Sequence, residues 1–135
     1  MLKWLIVYGA SAAVFVAGDM AWLSVMGPRL YRPVLGPLLA DKPRLSPALA
    51  FYLLYLVGVL VLAVAPALKG ADLRRALTSG AVLGLVAYAT YDLTNQATLR
   101  SWATRLTLAD MAWGALLTAA AAGAGFLAGR AVSAG

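Results

Sequence analysis

The chain has no cysteine and no histidine among its 135 residues. The first absence excludes a disulfide framework, a thiol nucleophile and thiolate metal ligands. The second removes the commonest general base and the commonest transition-metal ligand. Acidic residues are scarce: there are five, against eleven Lys and Arg. Proline is confined. Pro28, Pro33, Pro37, Pro43 and Pro47 fall in one stretch, and only Pro66 lies elsewhere. Apolar residues are abundant: 63% of the chain is hydrophobic, and the mean hydropathy is +0.84. Soluble domains hold roughly 45–50% apolar residues even when Gly is included. The composition therefore points to a membrane protein of one domain, residues 1–135. The formal charge of +6 does not suggest nucleic acid, because the basic residues sit in short groups between apolar runs. That pattern fits anchoring to anionic headgroups.

Four runs are long enough to cross the hydrocarbon layer, which takes about 20 helical residues. They cover about Trp4–Met26, Pro47–Leu68, Arg75–Asn95 and Leu106–Arg130. The runs are continuous and rich in Ala, Leu and Val, without the alternation of barrel strands. The expected fold is all-α, an integral membrane four-helix antiparallel bundle. Lys3 gives the first run a charged start, but the run is too long for a signal peptide and no cleavage site follows. Residues 27–47 read as a proline-rich interfacial loop, apolar enough at Leu30, Tyr31, Val34 and Leu35 to rest on the membrane or to cover one mouth of the bundle. Gly80 with Gly84, and Gly125 with Gly129, are small-xxx-small pairs that let helix backbones approach. Packing within the chain is the simpler use of these faces; a homodimer is the other.

The tetrapeptide Asp-Met-Ala-Trp occurs twice, at Asp19–Trp22 and at Asp110–Trp113. Chain parity places the end of the first helix, the start of the second, the end of the third and the start of the fourth on one membrane side. Asp19 then lies roughly 10 Å below that rim. Asp92 and Asn95 close the third helix and Asp110 opens the fourth, so the three intramembrane acids share one half of the bilayer. An acid in that setting is expensive and commonly functional. Tyr52 and Tyr55 fall in the same half, as does Tyr88, which forms a stripe with Asp92 and Asn95 at i, i+4 and i+7. Trp22 and Trp113 each follow their Asp by three. Helical side chains lean towards their own N-terminus, so Asp19 is expected to lean inwards and Asp110 towards the rim. Bland roles compete with this picture. The Trp and Tyr residues suit an aromatic belt, Thr107 and Asp110 have capping-box spacing, and Asn95 suits a helix cap. Asp19, deep and without a basic residue within a turn, has no such role. Basic residues number six on the acid side and five on the other, so charge bias assigns no orientation.

The run Ala87 to Leu99, followed by Trp102, carries a resemblance, together with Asp19 and Trp22, Pro47 to Tyr52, and Asp110 with Trp113 and Gly114. Over nearly its whole length the chain resembles DUF2177, a domain-of-unknown-function family of small bacterial four-helix membrane proteins. The resemblance implies a multi-pass protein of the bacterial cytoplasmic (inner) membrane. It supplies no catalytic assignment.

The residues thus suggest a site made of Asp19, Asp92, Asn95, Asp110, Trp22, Trp113, Tyr52, Tyr55 and Tyr88. The leading expectation is binding or transport of a small ligand, cation or proton. A structural or accessory subunit is the alternative. A membrane enzyme acting on a lipid-like substrate comes last. In that reading Asp92 or Asp110 is acid or base, Arg29 or Arg32 holds a phosphate, and two Asp with Asn95 hold Mg²⁺ or Ca²⁺. No nucleophile or cofactor motif accompanies it, so neither a cofactor nor a metal centre is expected. The partners expected are the lipid bilayer and the small ligand or cation.

Overall fold

The computed structural model describes residues 1–134. Among them there are no strands. Four helical stretches, Leu2–Leu38, Leu45–Lys69, Leu73–Thr98 and Thr104–Ala134, are long and apolar enough to cross a membrane. The protein is an all-α membrane bundle.

The first stretch is longer than the sequence suggests. Helix α1 (Leu2–Met26) does not give way to a loop. It passes through a π turn (Gly27–Tyr31) into α2 (Arg32–Leu35) and a 3₁₀ turn (Gly36–Leu38). The expected loop at 27–47 is therefore helical over its first half. Pro28, Pro33 and Pro37 each fall at the first or second position of one of these segments, so the changes of helix type coincide with the missing N–H groups. The widened turn at Gly27–Tyr31 absorbs Pro28, which cannot donate to the carbonyl four residues back. Leu30 and Leu35 are buried against Leu106, which explains why this stretch is so apolar.

The second span comprises α3 (Leu45–Val59), a π turn (Leu60–Val64) and α4 (Ala65–Lys69). Pro66 supplies the cause of the π turn, because the Leu62 carbonyl has no N–H to accept from. The third span is α5 (Leu73–Thr98), capped by the Asp72 side chain, which accepts from the Arg74 backbone N–H at 3.0 Å. The fourth is α6 (Thr104–Ala134).

Helix α6 is the centre of the bundle and packs chiefly on α5 and α1. Its register with α5 is antiparallel. Gly80 meets Thr118 and Ala119, Gly84 meets Gly114, and Gln96 bonds to Thr104. Its register with α1 is antiparallel too: Gly129 and Gly125 meet Val7, Ser11 Oγ donates to the Ala121 carbonyl at 2.8 Å, and Gly18 meets Leu117. A Cβ on Gly84 would lie 2.8 Å from the Gly114 carbonyl carbon. Both glycine pairs are therefore used inside the chain. Neither the Gly80/Gly84 face nor the Gly125/Gly129 face is free to pair with a second copy, which corrects the homodimer expectation for those faces. Close backbone approach is what holds such helices together in lipid, where burial of apolar surface drives nothing.

The second span changes neighbours at its π turn. Leu60–Lys69 packs on α5, while Leu45–Val59 makes hardly any contact with α5 and leans on α1 and α6 instead. The second and third spans are thus joined in one half of the bundle and parted in the half that holds the acids.

Candidate functional site: an acidic, aromatic cavity

The acid half is organised around two indoles. Trp22 and Trp113 stack with centroids 4.6 Å apart and planes 6° from parallel. They come from antiparallel helices, so the two copies of the tetrapeptide are related by a local two-fold through the stack. Each Asp precedes its Trp by three residues, which places Asp19 deeper than the stack and Asp110 nearer the rim. At 1.5 Å per residue the two differ by about 9 Å along the helix axes.

Both carboxylates face one cavity of about 350 Å³. Its walls come from all four spans: Asp19, Leu23 and Tyr31 from the first, Phe51 from the second, Ala87, Tyr88 and Tyr91 from the third, and Asp110 from the fourth. Each cavity acid accepts a hydrogen bond from a tyrosine of a different span. Tyr52 donates to Asp19 Oδ2. Tyr31 donates to Asp110 Oδ1 and itself accepts from Trp22 Nε1 at 2.7 Å. The tyrosines leave each carboxylate with further lone pairs. Tyr88 shares the cavity wall with Asp19, Asp110 and Tyr31, with its ring against Gly114, where no side chain fits.

Asp92 sits behind this cavity. It is completely buried, and neither carboxyl oxygen has a hydrogen-bond donor. Its carboxyl lies against that of Asp110. Two acceptor-only groups cannot bond without a proton between them. A buried, unpartnered polar group of this kind is costly and rare in folded proteins.

The chain matches, over residues 4–127, the family described as "Predicted membrane protein (DUF2177)". It belongs to that family. No curated protein and no solved structure matches it.

In this DUF2177 protein the other residues singled out from the sequence are placed unevenly. Tyr55 points into the core: its hydroxyl shares a 2.8 Å hydrogen bond with Thr118 Oγ1, and its ring packs on Phe15. It does not line the cavity. Asn95 lies off the cavity as well. The amide that works at this end of the third span is its neighbour Gln96, which donates to Thr104 Oγ1 at 2.9 Å and accepts from Thr107 Oγ1 at 2.6 Å. Thr107 also accepts from Trp102 Nε1 at 2.8 Å. These bonds replace the expected capping box: Thr107 and Asp110 lie past the first turn of α6, and Asp110 is turned towards Tyr31. Among the described residues no three acidic side chains converge closely enough to hold a metal ion. The residues that sequence reasoning overlooked are Tyr31, Phe51, Leu23 and Tyr91. Tyr31 carried a signal, being an aromatic residue in a segment too apolar for a free loop.

Proposed function

We propose that this DUF2177 protein binds a small ligand, cation or proton in the cavity between Asp19 and Asp110, and that binding serves transport or sensing in a bacterial cytoplasmic membrane. The observation that carries this reading is the convergence of two intramembrane carboxylates, drawn from opposite ends of the chain, on one cavity with aromatic walls. Acids placed so in lipid commonly mark substrate or proton routes. Cavities with mostly apolar walls and few polar groups are the usual form of small-ligand sites. Tyr31 and Tyr52 hold the carboxylates in place, which is the preorganisation a binding site requires. Asp92 adds a proton-exchangeable group behind Asp110.

The test is flux or proton release measured on protein reconstituted into vesicles, with Asp19→Asn and Asp110→Asn as controls. The expected outcome is a signal from the wild-type protein that both variants lose while remaining folded. Equal signals from the wild type and both variants would sink the proposal. A structural or accessory role competes because both cavity acids already have tyrosine partners. That role predicts variants that lose stability in parallel with any change in signal.

A further inference from the structure

The cavity is not isolated. Phe51, in its wall, also lines a second cavity of about 430 Å³ on the outside of the second span, together with Leu54, Gly58 and Leu62. Leu62 in turn lines a third, of about 460 Å³, shared with Thr78, Val82 and Val86 of the third span. The first two hollows share Phe51 and the last two share Leu62, so they follow one another as a shallow groove along the outer face of the second span. It begins at the acids, where the second and third spans part, and descends to where Leu60–Lys69 packs on α5. The middle hollow is almost wholly apolar, and the lowest includes Thr78 and Ser79. Leu23, Phe51 and Tyr91 at its mouth are about half exposed, so the cavity opens sideways, into the surroundings of the bundle rather than along its axis.

We infer that the occupant is an amphiphile with an ammonium head and a single alkyl tail, entering from the bilayer between the second and third spans. This rests on the reading of the cavity as a ligand site and adds the class of ligand. The head is set by the two carboxylates and by the rings of Tyr31, Phe51, Tyr88 and Tyr91, since cations are attracted both by carboxylates and by aromatic faces. An anionic head would face two carboxylates and is excluded by repulsion. The tail is set by the groove. From Phe51 to Leu62 the helix rises about 16 Å at 1.5 Å per residue, which is the reach of a dodecyl chain. The π turn at Leu60–Val64 creates this path, because it re-aims the upper half of the second span away from the third.

The experiment is equilibrium binding of radiolabelled dodecylammonium to the full chain in digitonin micelles, with butylammonium and dodecanol as comparison ligands. The Asp19→Asn/Asp110→Asn double variant measures background partition into micelles. Dodecylammonium is expected to bind saturably and at least about ten-fold more tightly than butylammonium, because each buried methylene adds to affinity. Dodecanol is expected to show background only. Leu62→Trp fills the groove at a side chain that is 58% exposed, so the core is spared. It should weaken dodecylammonium and leave butylammonium unchanged. Equal binding of butylammonium and dodecylammonium, with Leu62→Trp silent, overturns the tail assignment and leaves the acidic site standing. Dodecanol binding as well as dodecylammonium overturns the head assignment. No saturable binding of either cation, with the double variant equal to wild type, removes the acidic site itself.

Discussion

Gly114 couples the packing of the bundle to the shape of the cavity, so its replacement by Ala tests both together. A methyl group at this position would fall on the root of the Tyr88 ring. Rotating the ring does not relieve the overlap, because its first carbon is fixed to the backbone through Cβ. Helix α5 must move off α6, or Tyr88 must swing towards the cavity. Overpacking of this kind costs about 1–3 kcal/mol. Replacing Gly by Ala inside a helix returns about 0.8–1.0 kcal/mol. The net expectation is a destabilisation of about 0–2 kcal/mol, with altered ligand binding because Tyr88 lines the cavity. Gly84→Ala should cost more, since its methyl would meet the backbone of Gly114 rather than a side chain. Gly9→Ala is the control, with nothing within 4 Å of its added Cβ. It should be neutral or more stable by about 0.5–1 kcal/mol. The assay is thermal or denaturant-induced unfolding in mild detergent, followed by circular dichroism. If Gly114→Ala and Gly9→Ala shift stability alike, the close approach of α5 and α6 is refuted.

Two further substitutions probe the polar groups. Tyr31→Phe removes the hydroxyl that bridges Trp22 and Asp110, at an expected cost of about 1–3 kcal/mol. Combined with Asp110→Asn in a double-mutant cycle, it should show a coupling of about 0.5–3 kcal/mol, and simple additivity in unfolding experiments would refute the bridge. Asp92→Asn places an amide donor beside Asp110 where two acceptors now face each other. It should raise stability by about 1 kcal/mol; a loss of similar size in the same unfolding assay would show that Asp92 has a structural partner.

The sequence carried the architecture because hydrophobic run length and chain parity are properties of the whole chain. They place Asp19 and Asp110 in one half of the bundle, where both meet the cavity, and the three-residue offset from Trp22 places Asp19 below the indoles. Local phase was harder to read. Tyr52 and Tyr55 are three residues apart, and that angular difference sends Tyr52 to Asp19 and Tyr55 to Thr118. Asn95 and Gln96 differ by one position, and only the helix packing decides which of them meets Thr107. Tyr31 was hidden because five prolines in one stretch suggest a loop, whereas Pro28, Pro33 and Pro37 each fall at the start of a short helical segment. The two π turns each carry an extra residue, and no apolar periodicity announces them.

The central place of α6 has a consequence for biogenesis. Asp19 can find Tyr52 once the second span has entered the membrane, but Asp110 and its partner Tyr31 are 79 residues apart. The first and third spans have their main contacts with the helix made last, so until it is made it is mainly the second and third spans that hold one another. A nascent chain halted after the third span would carry the acids Asp19 and Asp92 in lipid with no finished bundle to shelter them. The synthesis of α6 is therefore the commitment step for both the fold and the site.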